Sequence, residues 1–318
     1  VASSPAAGPL ATATPATKEA LAAPGLARRR PEGQVAEAWR RLRASPGARI
    51  GLAILGVFVL AALLAPVVIP YNPALDSSLA ERLRGPSLAH LFGTDDLGRD
   101  VLRRVIYGAR ISLRVGIVAV LIGASLGSAV GLMAGFWGRV RILGLTLDAI
   151  LMRMLDVMLA FPGILLAIAV VAMLGPSLDH TMIVIGFLSI PGYARVMRSV
   201  VLSVSERDYI LAARTLGARD DRLVLRHILP NCLSPLIVQA TLGVADAILT
   251  AAGLGFLGLG AVPPTPEWGA MISDSLKYLT TAPYLIFFPG FAVMLTVMSF
   301  NLLGDGLRDA LDPQLRHR

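Results

Sequence analysis

The sequence predicts an all-α membrane protein of six transmembrane helices, with both termini cytoplasmic and one short amphipathic helix standing between two spans on the cytoplasmic face. Three observations carry this. Of 318 residues, 55% are hydrophobic and 16% charged, where soluble domains hold about 25% charged residues. The apolar residues fall in blocks of the length that a hydrocarbon core about 30 Å thick requires, roughly 20 residues per helix. Basic residues gather ahead of the first block, with eight Lys and Arg in the first 50 positions. The net charge of +8 then reads as cytoplasmic segments obeying the positive-inside rule. No basic segment interleaved with aromatics suggests a nucleic-acid surface. One cysteine, Cys232, excludes an intrachain disulfide and a CxxC site, and reads as a small apolar filler. No metal site is expected.

Residues 1–33 are rich in Ala, Pro, Ser and Thr and read as a disordered cytoplasmic tail. Residues 34–47 form a basic segment around Trp39, expected to lie as an interfacial amphipathic helix on the inner membrane surface. The spans are expected at 48–70, 111–137, 147–175, 180–203, 231–260 and 283–305, with a long external loop over 71–110 and a cytoplasmic C-terminal tail over 307–318. One feature opposes this orientation: the external loop carries Arg82, Arg84, Arg99, Arg103, Arg104 and Arg110, offset by Asp76, Glu81, Asp95, Asp96 and Asp100.

Within the spans, Gly123, Gly127, Gly131 and Gly135 recur every four residues, as do Gly243, Ala247, Ala251 and Gly255. Small residues in this register put a groove on one helix face and let a second helix approach closely. Charges inside spans are costly. Asp148, Arg153 and Asp156 in the third span and Asp246 in the fifth either line a polar pathway or are neutralised structurally, Arg153 with Asp156 at a spacing of three.

Between the fourth and fifth spans stands "DYILAARTLGARDDRLVLRHILPN". Residues 206–216 suit a helix with acidic residues in its first turn. Tyr209, Ala212, Ala213 and Leu216 form one apolar stripe. Gly217 is placed to cap the C-terminus, Asp220 to cap a second helix, and Pro230 to start the fifth span. Two alanines anchor poorly in lipid headgroups, so the stripe suits a docking surface better than a membrane-surface helix. Over 92–110 the charges are spaced for helical pairing, Asp96 with Arg99 and Asp100 with Arg103 or Arg104. That segment either stabilises the outer loop or helps to dock an external partner.

At this point the sequence resembles a family. "AARTLGARDDRLVLRHILPN" is similar to the EAA loop of the membrane subunits of bacterial ABC importers. Ala212, Ala213, Gly217, Leu229 and Pro230 match, and Leu211 stands where the motif has glutamate. "FGTDDLGRDVLRRVIYGARISL" is similar to the stretch before the second span in C-type permeases of dipeptide and oligopeptide importers. There Phe92, Gly93, Thr94, Asp95, Gly98, Arg99, Asp100, Tyr107, Gly108, Arg110 and Ser112 match, and Arg103 replaces a frequent serine. "AFPGILLAI" and "GLGFLGLGAVPPTPEWGAMI" extend the likeness to roughly residues 40–313. The resemblance implies a type I ABC importer permease fold, a core permease domain over 111–306, and a coupling helix in the loop at about 205–230. It implies no catalysis by this chain, whose sequence has no GxxxxGK[ST] phosphate loop. It further implies that this chain binds no cofactor and that ATP and magnesium belong to partner subunits. The implied partners are a second homologous permease, two cytoplasmic ATP-binding subunits and an extracytoplasmic substrate-binding protein. The implied cargo is a peptide, with nickel or glutathione as related alternatives. A stand-alone secondary transporter is the distant rival; it would show titratable residues in the spans or internal repeats, and would need no docking helix.

Overall fold

The computed structural model describes residues 34–72, 76–142 and 144–311. The expected N-terminal tail and residues 312–318 of the expected C-terminal tail lie outside them. The chain divides into residues 1–37 and residues 38–318, and the second unit holds the membrane core. Among the described residues five helices are long and apolar enough to cross a membrane, or six if one sharply bent pair counts as a span.

Helix α1, Gln34–Ala44, is followed directly by α2, Pro46–Val68. Ser45 separates them because its side chain accepts from the Ala48 N–H at 3.4 Å and Pro46 fills the first helical position, where a missing N–H costs nothing. Leu42 of α1 and Ala48 of α2 are buried with Ala310 of α11, Tyr284–Leu311. At Gly51 a Cβ would stand 2.7 Å from the Ser299 carbonyl of α11, so α2 seats directly on that helix.

The core seam joins α3, Val101–Phe136, to α6, Leu178–Ser205. The glycine register anticipated a close helix contact on this face, and α6 is the partner. A Cβ at Gly123 would meet Ser189 at 2.8 Å, at Gly127 the Ile190 carbonyl at 2.6 Å, and at Gly135 the Val201 Cβ at 2.8 Å. Gly131 abuts the Ala194 carbonyl in the same row. Backbone therefore packs on backbone for about three turns. α9, Leu229–Phe256, closes the core, its Val244 and Ile248 lying against Gly116 of α3. Ala247 and Ala251 of its small-residue row are buried, and Gly243 and Gly255 meet Tyr193 and Glu267.

Two expectations are corrected. The third span is not one helix: α4, Leu147–Leu159, and α5, Gly163–Leu174, meet at 81°. Pro162 lies at the break, and proline disfavours helical conformation at the residue before it. The helix that carries the fifth span starts before Pro230. It runs over Asp220–Phe256, from α8, Asp220–Leu223, through a π turn at Val224–Ile228 into α9. Pro230 has no N–H to offer the carbonyl four residues back, and the widened turn just before it absorbs that loss. On the outer side, α10, Trp268–Ser275, plugs the core. Trp268 is fully buried, and its indole N–H donates to the Val105 carbonyl at 3.0 Å across Gly108. A two-residue hairpin, β1 Arg141–Ile142 with β2 Leu145–Thr146, links α3 to α4.

Candidate functional site

The loop after α6 forms α7, Asp208–Thr215. Ile210 anchors it, fully buried among Met197, Val201 and Val204 of α6 and Ile228 and Cys232 beyond the loop. The remaining apolar side chains are wholly or partly exposed. Leu216 is 88% exposed, Tyr209 and Leu211 are about half exposed, Ala212 is exposed and Ala213 half-buried. Gly217 has φ +80°; its N–H donates to Arg214 and the Ala218 N–H to Ala213, the double bond pattern of a Schellman cap. Leu216 is thus held at the tip of a rigid turn. Asp220 does not cap α8: Arg219 holds that position through its backbone, and Asp220 sits in the first turn. Leu229 packs beside Cys232, while Pro230 is exposed. Asn231 ties the two arms together, donating to the His227 carbonyl at 2.6 Å and to the Tyr209 hydroxyl at 3.4 Å.

On the external side the segment expected to be helical from residue 92 is a compact loop, and α3 begins only at Val101. The expected Asp96–Arg99 and Asp100–Arg103 or Arg104 ion pairs do not form. Asp95 takes the central role instead, because the loop folds its carboxylate inward. One oxygen accepts from the Leu97 and Arg99 backbone N–H groups, both at 2.9 Å. The other accepts from Arg99 Nε at 2.7 Å and Arg104 Nη1 at 2.5 Å. All three side chains are nearly fully buried. Asp100 caps α3 by accepting from the Arg103 N–H, and its second oxygen lies 2.9 Å from His90 Nδ1. Asp96 pairs with Lys277 at 3.1 Å, and that hydrogen bond pushes the lysine pKa up. Gly93 and Gly98 both have positive φ. Thr94 is buried, its hydroxyl bonded to the Glu81 carbonyl and the Arg84 N–H. Tyr284 of α11 seals the loop, its hydroxyl 2.9 Å from the Arg84 carbonyl and 3.0 Å from that of Thr94.

Glu267, which sequence reasoning passed over, caps α10. Its carboxylate accepts from the Gly269 and Ala270 N–H groups at 2.8 Å each. Burial pushes its pKa up against the pull of those two donors. A carboxyl with a raised folded-state pKa stabilises the fold fully below its unfolded value and loses that contribution as pH rises through the folded one. The wild type should therefore lose thermal stability relative to Glu267→Gln as pH climbs upward from the ordinary carboxylate range, measured by thermal shift in detergent. A parallel pH response of the two proteins contradicts this.

Of the intramembrane charges, Asp148 is held by Arg198 through two bonds of 2.5 and 2.7 Å, and Asp156 by Arg195 at 2.7 Å. The expected Arg153–Asp156 pair is replaced, because Asp156 turns to α6 and Arg153 stays exposed. Asp246 is exposed, apart from these two pairs. Arg195 and Arg198 were the missed partners. Two arginines three residues apart inside an apolar span were the signal. Among the described residues no group of three His, Cys, Asp or Glu side chains could hold a metal.

Comparison with known proteins places this geometry. Residues 102–317 match the family described as binding-protein-dependent transport system inner membrane component, and residues 33–86 match the N-terminal TM domain of oligopeptide transport permease C. The chain is 49% identical over 280 residues to the dipeptide transport system permease protein DppC of Alkalihalophilus pseudofirmus, covering 88% of this chain and 90% of that one. It is 47% identical to DppC of Escherichia coli K12, covering 88% and 93%. It is 44% identical to the glutathione transport system permease protein GsiD of Pectobacterium atrosepticum, covering 88% and 91%. An inward-facing crystal form of the MetNI methionine ABC transporter contains a chain that superposes with a TM-score of 0.55 at 18% identity, over 66% of this chain and 97% of that one, a likeness of fold. The chain therefore belongs to the binding-protein-dependent transport system inner membrane component family, as a multi-pass permease subunit of the bacterial inner membrane.

Proposed function

We propose that this permease forms half of the translocation pathway of an ATP-driven importer for dipeptides and oligopeptides. It assembles with a second, related permease, two cytoplasmic ATP-binding subunits and an external substrate-binding protein. ATP and its magnesium are bound by the ATP-binding subunits. α7 is the coupling helix, seated in a cleft of one of them. The observation that carries this reading is the exposed row Tyr209, Ala212 and Leu216 on a helix that Ile210 pins to the membrane core and Gly217 locks at its end. An apolar tip 88% exposed on a rigid turn suits a protein pocket, and the small centre at Ala212 and Ala213 lets the walls of a cleft approach. Closure of the ATP-binding subunits then moves α7 as a lever, and the spans alternate between two arrangements. Peptide cargo rests on the likeness to dipeptide permeases; the glutathione permease likeness favours glutathione as the second reading.

Leu216→Asp should reach the membrane normally and cut dipeptide uptake by tenfold or more, as roughly expected for an interface anchor. Gly217→Val, a β-branched residue forced to positive φ, should cost about 1–2 kcal/mol locally and uncouple ATP hydrolysis from uptake. Radiolabelled dipeptide and glutathione uptake in the same reconstituted importer separates the two cargoes. Undiminished uptake by Leu216→Asp would rule out α7 as the coupling element.

A further inference from the structure

α6 runs into α7 through only Glu206 and Arg207, and Ile210 welds the two together. The cytoplasmic part of α6 and α7 are therefore one stiff unit. α4 lacks such a weld. Leu155 is its one buried residue among those described, resting on Ile190 and Ala194 with Met152 and Met158 beside it. Its first turn is tied to the segment after α3, the Leu147 N–H donating to the Val140 carbonyl at 2.8 Å and the Asp148 N–H to the Gly138 carbonyl at 3.2 Å, and charge ties α4 to α6. Arg198 donates twice to Asp148, and Arg195 donates to Asp156. The two arginines lie about one turn apart on α6, whereas the two carboxylates lie about 12 Å apart along α4. The long side chains fan out from one place on α6 and grip both ends of the short helix. Asp156 and Arg195 remain half exposed, at 54% and 52%, roughly 15 Å along α6 from its cytoplasmic end for Arg195. A charge pair at that depth is kept off hydrocarbon, each partner neutralising the other. Beyond α4 the chain breaks at Ala160–Pro162 and turns through 81°.

From this arrangement we infer that Asp148, Asp156, Arg195 and Arg198 are positioning residues that make α4 travel with the coupling helix. Motion delivered at the cytoplasmic face then reaches the middle of the third span and flexes the Ala160–Pro162 break. The inference rests on the reading of α7 as the coupling helix. It adds that two ion pairs, beside the packing of Leu155 on Ile190 and Ala194, tie α4 directly to the helix that carries α7.

The test uses the whole importer reconstituted in liposomes, with uptake and binding-protein-stimulated ATP hydrolysis measured together. Asp156→Arg alone and Arg195→Asp alone should each lower uptake about tenfold while leaving stimulated hydrolysis within about twofold, the range in which coupling residues act. Exchanging the two charges should restore uptake to within about threefold, as a paired interaction requires. Separately, an Asp156→Cys/Arg195→Cys protein should transport poorly, and bridging the two thiols with a bismaleimide long enough to span the pair should restore uptake. An exchange variant that fails to assemble, or assembles without transporting, overturns the inference. So does a bridge that blocks uptake, because α4 would then have to slide against α6. Loss of the ATP-binding subunits from the wild-type complex would strike instead at the coupling-helix reading, so the two failures are told apart.

Discussion

Gly127→Ala is expected to break the permease core, although it adds one methyl group. Its Cβ would stand 2.6 Å from the Ile190 carbonyl and 2.7 Å from the Tyr193 Cβ, and backbone cannot yield as a flexible side-chain end can. The α3–α6 seam must open along its length, because Gly123, Gly131 and Gly135 lie in the same row. Overpacking of this kind costs about 1–3 kcal/mol per site, and the larger Gly127→Leu should abolish recovery of assembled permease. Gly56→Ala is the internal control. It has nothing within 4 Å of the added carbon, and alanine is favoured over glycine in a helix by about 1 kcal/mol. Thermal shift of the detergent-solubilised protein should rank Gly127→Ala well below wild type and Gly56→Ala at or above it. Equal midpoints for the two variants would contradict the seam.

Asp95→Ala should be the most damaging change in the external loop. It leaves the Arg99 and Arg104 guanidinium groups buried without a counter-charge and frees the Leu97 and Arg99 N–H groups. Breaking a buried ion pair from one side costs about 3–5 kcal/mol. The neighbouring Asp96→Ala removes only a solvated pair with Lys277, whose side chain is 61% exposed, and such pairs contribute about 0–1 kcal/mol. The sharp contrast between adjacent aspartates is the testable feature. Limited proteolysis of the loop in intact cells should cut Asp95→Ala and spare Asp96→Ala.

The legible parts of the sequence were those governed by period and length. Blocks of about 20 apolar residues marked the spans, four-residue glycine spacing marked the α3–α6 seam, and the Gly217 position marked the helix end. What stayed hidden depended on contacts between distant positions. Arg198 and Asp148 are 50 residues apart in sequence, so local spacing favoured Arg153 with Asp156 instead. Asp95, Asp96, Asp100 and four nearby arginines allow several pairings on an ideal helix. The structure chooses among them because positive φ at Gly93 and Gly98 folds the segment into a loop. Hydropathy does not register an 81° turn, and the signal for the break between α4 and α5 was the Pro162–Gly163 pair inside an otherwise apolar stretch. Ile210 shows the same limit at the candidate site. Sequence alone places it off the apolar stripe, yet it is the residue that fixes α7 to the core.

The most direct test of the central claim is a photo-crosslinking residue placed at position 216 of the assembled importer in native membranes. The account predicts a single crosslinked product joining this permease to an ATP-binding subunit, with its yield changing between nucleotide-free and ATP-bound states. Crosslinks to lipid alone, in either state, would show that α7 lies on the membrane surface, and would contradict its role as the coupling element.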